Sequence, residues 1–283
     1  MSTHDGARFP KTYGPGPRNL VKPTAKGWIT MNAKEIRLYV QPGCTSCLKA
    51  KEFLSKNLEG FQIIDITQDT DALDELLNRG IRSVPVVTVG DRHCFGNNVR
   101  DLATFLGIDF QQPLLTVDQL ADKYLRVLGV ATVLVNQIPT TMLAERPTVG
   151  RERTVGYVAL HIFDIAERFL AGYKSGSFRR GRDDPVDPSS FPTGAYVAEH
   201  GRSIQERMQK WSEVESGTAD LDRPIQTWHG TQTMHRLLER CVWHSAQHTR
   251  QIHTMLESRG LAPEARLTDA DLDGLPVPEK VQD

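Results

Sequence analysis

Four of the chain's nine histidines fall within Thr231–Arg259, a stretch that reads as one long helix. At about 100° per residue, with His235 as origin, His244 lies at roughly 180°, His248 at roughly 220° and His253 back near 0°. His244 and His248 therefore share a face, while His235 and His253 point away from it. Two imidazoles at i, i+4 span one helical turn and can offer ring nitrogens to one divalent metal, provided another element supplies further ligands. Ordinary polar residues on a helix face produce the same spacing, so the pair alone leaves both readings open. The second reactive group is Cys44-Thr45-Ser46-Cys47, placed where a strand runs into a helix. Free amides and the helix dipole stabilise a thiolate there. Cys44 is then the expected attacking thiol, and Cys47, one turn inside, the resolving one. A zinc half-site, the other use of such a pair, would need His93 and Cys94 as its second half.

The elements that position the cysteines are short β-like runs alternating with amphipathic helices. Strands are expected at Ile36–Val40, Phe61–Ile66, Val86–Val89 and His93–Phe95, the last two as a hairpin turning at Gly90-Asp91. Helices are expected at Thr45–Asn57, Asp69–Arg79 and about Asn98–Leu106, giving the order β-α-β-α-β-β-α. Tyr39–Leu54, with Ser83-Val84-Pro85 before a strand and Gly96-Asn97-Asn98 before a helix, resembles the glutaredoxins and their redoxin relatives. The resemblance covers residues 34 to 108 and implies a thioredoxin-like fold. It also implies a cis Pro85 against the cysteines, and a thiol-binding surface at Val84, Pro85, Gly96 and Asn97. Gln41 stands where many glutaredoxins carry a cation for a glutathione carboxylate, and Asn97 replaces the second glycine of a usual pair. Those two departures leave the identity of the thiol open.

Beyond a connector at Gly107–Thr116 the β signal disappears. Helical spacing runs through Val117–Leu143, ended or kinked by Pro139, then through Thr154–Tyr173 and Thr193–Glu215. With the histidine helix this makes four helices and one long charged loop, Lys174–Pro192, hence a four-helix bundle. His161 lies among apolar neighbours in the second of these helices and supplies a third imidazole toward the same core. Helix two with His161 and helix four with Trp243-His244 through His248-Thr249-Arg250-Gln251-Ile252 resemble the DinB-like bundles, over residues 114 to 262. That resemblance implies a divalent metal on His161, His244 and His248. Three neutral imidazoles leave coordination positions open, as in a reactive site; zinc is the first expectation, with nickel or iron as alternatives. Cys241 falls near the metal face but reads first as a small buried apolar residue. Arginines of the Arg179–Asp184 loop are candidates for binding thiol-peptide carboxylates, against the plainer reading of a solvated loop.

The whole chain is therefore read as α/β plus all-α: an extended arm at 1–33, a glutaredoxin-like domain at 34–108, a DinB-like four-helix bundle at 114–262 and a tail at 263–283. Its 283 residues carry a formal net charge of -1, which gives no electrostatic case for nucleic acid or anionic membrane. No apolar run is long enough for a membrane span and the N-terminus lacks a secretory core, so a cytoplasmic protein is the expectation. The expected activity is a metal-dependent transferase that uses a low-molecular-weight thiol, glutathione first, on a small-molecule electrophile or thiol conjugate. Thiol-disulfide exchange at Cys44 and Cys47 would be coupled to it. A thiol-disulfide oxidoreductase with the bundle as a binding module, a metal-dependent hydrolase or isomerase, and a non-enzymatic metal or redox sensor are the alternatives. A homodimer, burying a remaining apolar face of the bundle, is a candidate assembly, and the sequence leaves the oligomeric state open.

Overall fold

The computed structural model describes residues 35–147, 153–178 and 192–282. The expected arm at 1–33 and the Arg179–Asp184 loop lie outside these residues. The first domain runs β1 (Ile36–Val40), α1 (Thr45–Asn57), β2 (Gln62–Asp65), α2 (Thr70–Asn78), β3 (Val86–Val89), β4 (Arg92–Phe95) and α3 (Val99–Leu106). Its sheet has the order β2-β1-β3-β4, with β1 parallel to β2 and the other two pairs antiparallel. Alternation along β1 divides the core. Ile36 and Leu38 face Phe53 and Leu54 of α1 and Leu102 of α3. Tyr39, pointing the other way, packs with Leu76 of α2 and with Ile81 and Val86. This is the thioredoxin-like arrangement that the sequence predicts.

The second domain is built on α4 (Val117–Asn136), α6 (Val155–Ser175), α7 (Gly194–Val214) and α8 (Met234–Ser258), with a short α5 at Thr140–Leu143. Each of the four long helices starts at a threonine whose hydroxyl accepts a backbone N–H three residues on: Thr116, Thr154, Thr193 and Thr233. Each such cap is worth about 1 kcal/mol. Helices α6 and α7 approach closely at Gly201, where an added Cβ would lie 2.4 Å from the ring of Phe163. Apolar side chains of all four helices, among them Leu128, Phe163, Ile204 and Leu238, form one continuous core.

One expectation holds and two are corrected here. The helix over Val117–Leu143 is interrupted at Pro139 as expected: α4 ends at Asn136 and α5 starts only after the proline. Proline disfavours helical backbone in the residue before it and cannot donate to the preceding turn. The bundle also contains β structure: β5 (Ser177–Phe178), β6 (Pro224–Thr227) and β7 (Gly230–Thr233) form a sheet in that order. The stretch expected to be helical from Thr231 therefore begins as strand β7 and becomes helix only at Met234.

The tail at 263–283 forms part of the domain interface. After the short α9 (Asp269–Leu272) it runs between α8 and α1. Gln247 Nε2 donates to the carbonyls of Lys280 and Val281, Arg250 to those of Pro278 and Glu279, and Gln251 to that of Val281. On the other side the amides of Glu279 and Lys280 donate to the carboxylate of Glu52, and Lys56 pairs with Glu279.

Candidate metal and thiol site

Strand β1 delivers the chain to Gln41-Pro42-Gly43, where Gly43 adopts φ 60° and lets the backbone turn sharply into α1. Cys44 is the N-cap of that helix, its Sγ accepting the Cys47 amide at 3.2 Å, and the two cysteines are joined as a disulfide. The Val84-Pro85 bond is cis. Gly96 sits between Pro85 and Ala50 of α1, so close that an added Cβ would lie 3.1 Å from both, and its amide donates to the Pro85 carbonyl at 2.8 Å. Lys49, one turn beyond Thr45, donates to the Asn97 carbonyl at 3.0 Å. Of the residues expected to bind thiol, Gly96 thus lies against α1 beside Pro85, and Asn97 is bonded to it through Lys49.

Thr45, Ser46 and Cys47 are buried, Cys44 partly so. What covers this end of α1 is the helical domain. Thr45 Oγ1 lies 3.4 Å from His244 Nε2 of α8, and Lys49 Nζ sits 3.6 Å from the centre of the Trp243 ring. Two ion pairs extend the contact: Arg100 to Glu239 through two bonds of 2.7 and 3.0 Å, and Arg236 to Asp101 at 2.8 Å. Glu239 is only 3% exposed.

His161 of α6 and His244 and His248 of α8 bring a ring nitrogen each within 4.8 Å of one another. Ser245, between the two α8 histidines, donates to the Ile162 carbonyl at 3.0 Å and fixes the register of α8 on α6. The Nε2 atoms of His244 and His248 are 3.0 Å apart, and His248 Nδ1 lies 2.7 Å from Gln251 Oε1. That partner keeps the proton of His248 on Nδ1 and its lone pair on Nε2. Aromatic rings wall the group: Tyr157 stacks on His161 at 5.5 Å and Trp243 on His244 at 5.3 Å. Burial holds both His161 and His244 well below the ordinary imidazole pKa; next in effect come His248 for His161 and Arg240 for His244. His161 and His244 are therefore held neutral, as a divalent ion requires of its ligands. Two imidazoles on one tetrahedral zinc would place their nitrogens about 3.3 Å apart, close to the spacing of the α8 pair. The residues present fit the ion.

The other candidates are placed elsewhere. Cys241 is buried in the helical core, its thiol pushed up to about 11 by burial, and Cys94 is a strand residue pushed up to about 12 for the same reason. Neither belongs to a converging ligand group among the described residues, and neither does His93. His235 bonds the Leu115 carbonyl and His253 faces Glu257, both away from the triad. Asp164, Glu167 and His200 form a second converging group, in which Glu167 also pairs with Arg207 at 2.8 Å. Sequence reasoning missed Thr45 as the contact residue, Gln251 as the orienting partner and Lys49 and Trp243 as the joint between the domains. Only the closeness of Gln251 to His248 on the helix hinted at any of these.

Comparison with known families agrees with the geometry. The family model described as Glutaredoxin matches residues 36–94, and the one described as DinB superfamily matches residues 124–252. Among solved structures, a DinB-like protein from Bacillus subtilis is similar at 18% identity and a TM-score of 0.41, covering 53% of this chain and 96% of its own. No curated protein matches the chain. No helix among the described residues is long and apolar enough to cross a membrane.

Proposed function

Because the chain joins a glutaredoxin domain to a DinB-superfamily domain, we propose that it is a metal-dependent transferase of a low-molecular-weight thiol, with its disulfide chemistry serving the same centre. Glutathione is the proposed thiol, and a small electrophile or thioether the proposed co-substrate. The observation that carries the reading is the 3.4 Å contact between Thr45 Oγ1 and His244 Nε2. It sets the CxxC turn against the histidine triad and buries the surface that a free-standing glutaredoxin would offer to protein clients.

His161, His244 and His248 would hold the ion, zinc first and nickel or iron as alternatives. When bound, it would lower the pKa of a thiol and keep it as the reactive anion. Gln251 orients His248, while Trp243 and Tyr157 exclude water from the rings of His244 and His161. Val84, Pro85, Gly96 and Asn97 would hold the thiol peptide beside α1. In the dithiol state, Cys44 attacks a mixed disulfide of glutathione and a second thiol, releasing one of them. Cys47 then displaces the other from Cys44, and the Cys44–Cys47 disulfide forms. Two glutathione molecules return the pair to dithiol and leave as glutathione disulfide.

The test is metal content together with turnover of 1-chloro-2,4-dinitrobenzene, with and without glutathione, before and after chelation. About one metal per chain and glutathione-dependent, chelator-sensitive turnover is expected. Thiol-disulfide exchange that ignores the chelator, in a protein free of metal, would move the function to Cys44 and Cys47 alone. Turnover without any added thiol would favour a hydrolase or isomerase.

A further inference from the structure

A cavity of about 230 Å³ lies between the domains, with Lys49 and Trp243 in its wall. Asn97, Asn98 and Asp101 line it from the glutaredoxin domain, and His229, Gln232 and Arg240 from the helical one. Its charges are unevenly paired. Both carboxylates of its wall are engaged, Glu239 by Arg100 and Asp101 by Arg236. Lys49 is tied to the Asn97 carbonyl and the Trp243 ring. Arg240 remains. It is 8% exposed, packs its guanidinium on Trp228 at 4.9 Å, and its Nε is buried without a hydrogen-bond partner. His229 Nε2 and Gln232 Nε2 are likewise buried and unpartnered, so three of the six such atoms among the described residues belong to this one cavity.

Buried donors left unpaired are rare in folded proteins, and a buried cation without a counter-charge rarer still, unless a ligand completes them. We propose that this interdomain cavity binds a carboxylate-bearing small molecule, with Arg240 as its counter-charge and His229 and Gln232 as further hydrogen-bond partners. A planar guanidinium matches a carboxylate. One permanently charged, uncompensated group suits a single negative charge better than the dianion of a phosphate. The aromatic faces of Phe95 and Trp243 suit the carbon skeleton of an organic acid. The acid is either the end of a peptide thiol or a free small acid, and the site would select its ligand by charge, independently of the metal.

Titration calorimetry on the full chain, with S-methylglutathione, glutarate and inorganic phosphate as probes, separates these cases without turnover. Failure here would therefore leave the transferase reading standing. S-methylglutathione binding alone identifies a peptide carboxylate, and glutarate binding as well identifies a small-acid site. Arg240→Gln should weaken that binding at least about tenfold, and Gln232→Glu, which keeps size and adds a repelling charge, by a similar factor. Should Arg240→Gln fail to fold, Gln232→Glu decides. Tighter binding of phosphate than of either acid overturns the proposal. So does the lack of carboxylate binding below about 10 mM, or binding that a folded Gln232→Glu variant leaves unchanged.

Discussion

Two groups of polar residues meet at Trp243, and they are stabilised in opposite ways. The histidine group is built on neutral rings: burial suppresses protonation of His161 and His244, and aromatic rings stack on them. The group around the interdomain cavity is ionic: Arg100 with Glu239, Arg236 with Asp101, and Arg240 with no carboxylate partner among the described residues. Neutral imidazoles keep their lone pairs available to a metal. Paired ions hold two domains in one geometry, since separating them would leave a charge buried. One side of the joint is thus suited to bind an ion and the other to be held together by ions.

The largest expected effect breaks the neutral side. His161→Ala leaves only two imidazoles, both on α8, and metal content measured by mass spectrometry should fall from about one per chain to near zero. Thiol-disulfide exchange at Cys44 and Cys47 should survive; its loss in a folded variant would show that the two centres are inseparable. On the ionic side, Glu239→Gln strands Arg100 and should cost about 3–5 kcal/mol in urea unfolding. A cost below about 1 kcal/mol would mean that solvent reaches the pair and that it does not hold the domains.

The comparison sharpens with pH. Burial, followed by the charge of Arg240, lowers the His229 pKa to about 3. The unfolded chain therefore takes up this proton first, and the stability tied to a neutral His229 is lost as pH falls from about 6.5 toward 3. Between pH 7 and pH 5 that amounts to about 2 kcal/mol. Urea unfolding at both pH values should show wild type losing more than His229→Gln by this amount; equal losses would mean that water reaches the ring. The smallest effect concerns the tail. Deleting residues 277–283 removes its bonds to Gln247, Arg250 and Gln251 and to Glu52, each worth about 1 kcal/mol to the contact between the domains rather than to the unfolding of either one. Faster proteolysis of the 107–116 connector, with the unfolding of each domain little changed, is the expected readout.

Much of this was legible in the residues because it is local. The cysteine turn needs only a strand, a Gly43 that turns the chain and a helix start, all within about ten positions. The His244–His248 pair follows from one helical turn, and His161 could be added because an amphipathic helix has one buried face. The second sheet was not legible: β5 spans two residues, and β6 and β7, Pro-Ile-Gln-Thr and Gly-Thr-Gln-Thr, carry almost none of the branched apolar residues that mark a strand such as Val86–Val89. The tail gave no signal either, since its binding is by backbone carbonyls and amides, which every residue has.

Local periodicity, then, determined the order of elements in both domains, the cysteine turn and the shared face of His244 and His248, and the family resemblance joined His161 to that pair. Tertiary structure alone decided that the two centres face each other. Thr45 and His244 are 199 positions apart, and Arg100 and Glu239 are 139 apart. A contact of that separation depends on how two finished surfaces fit, and neither the spacing nor the type of the residues along the chain encodes it.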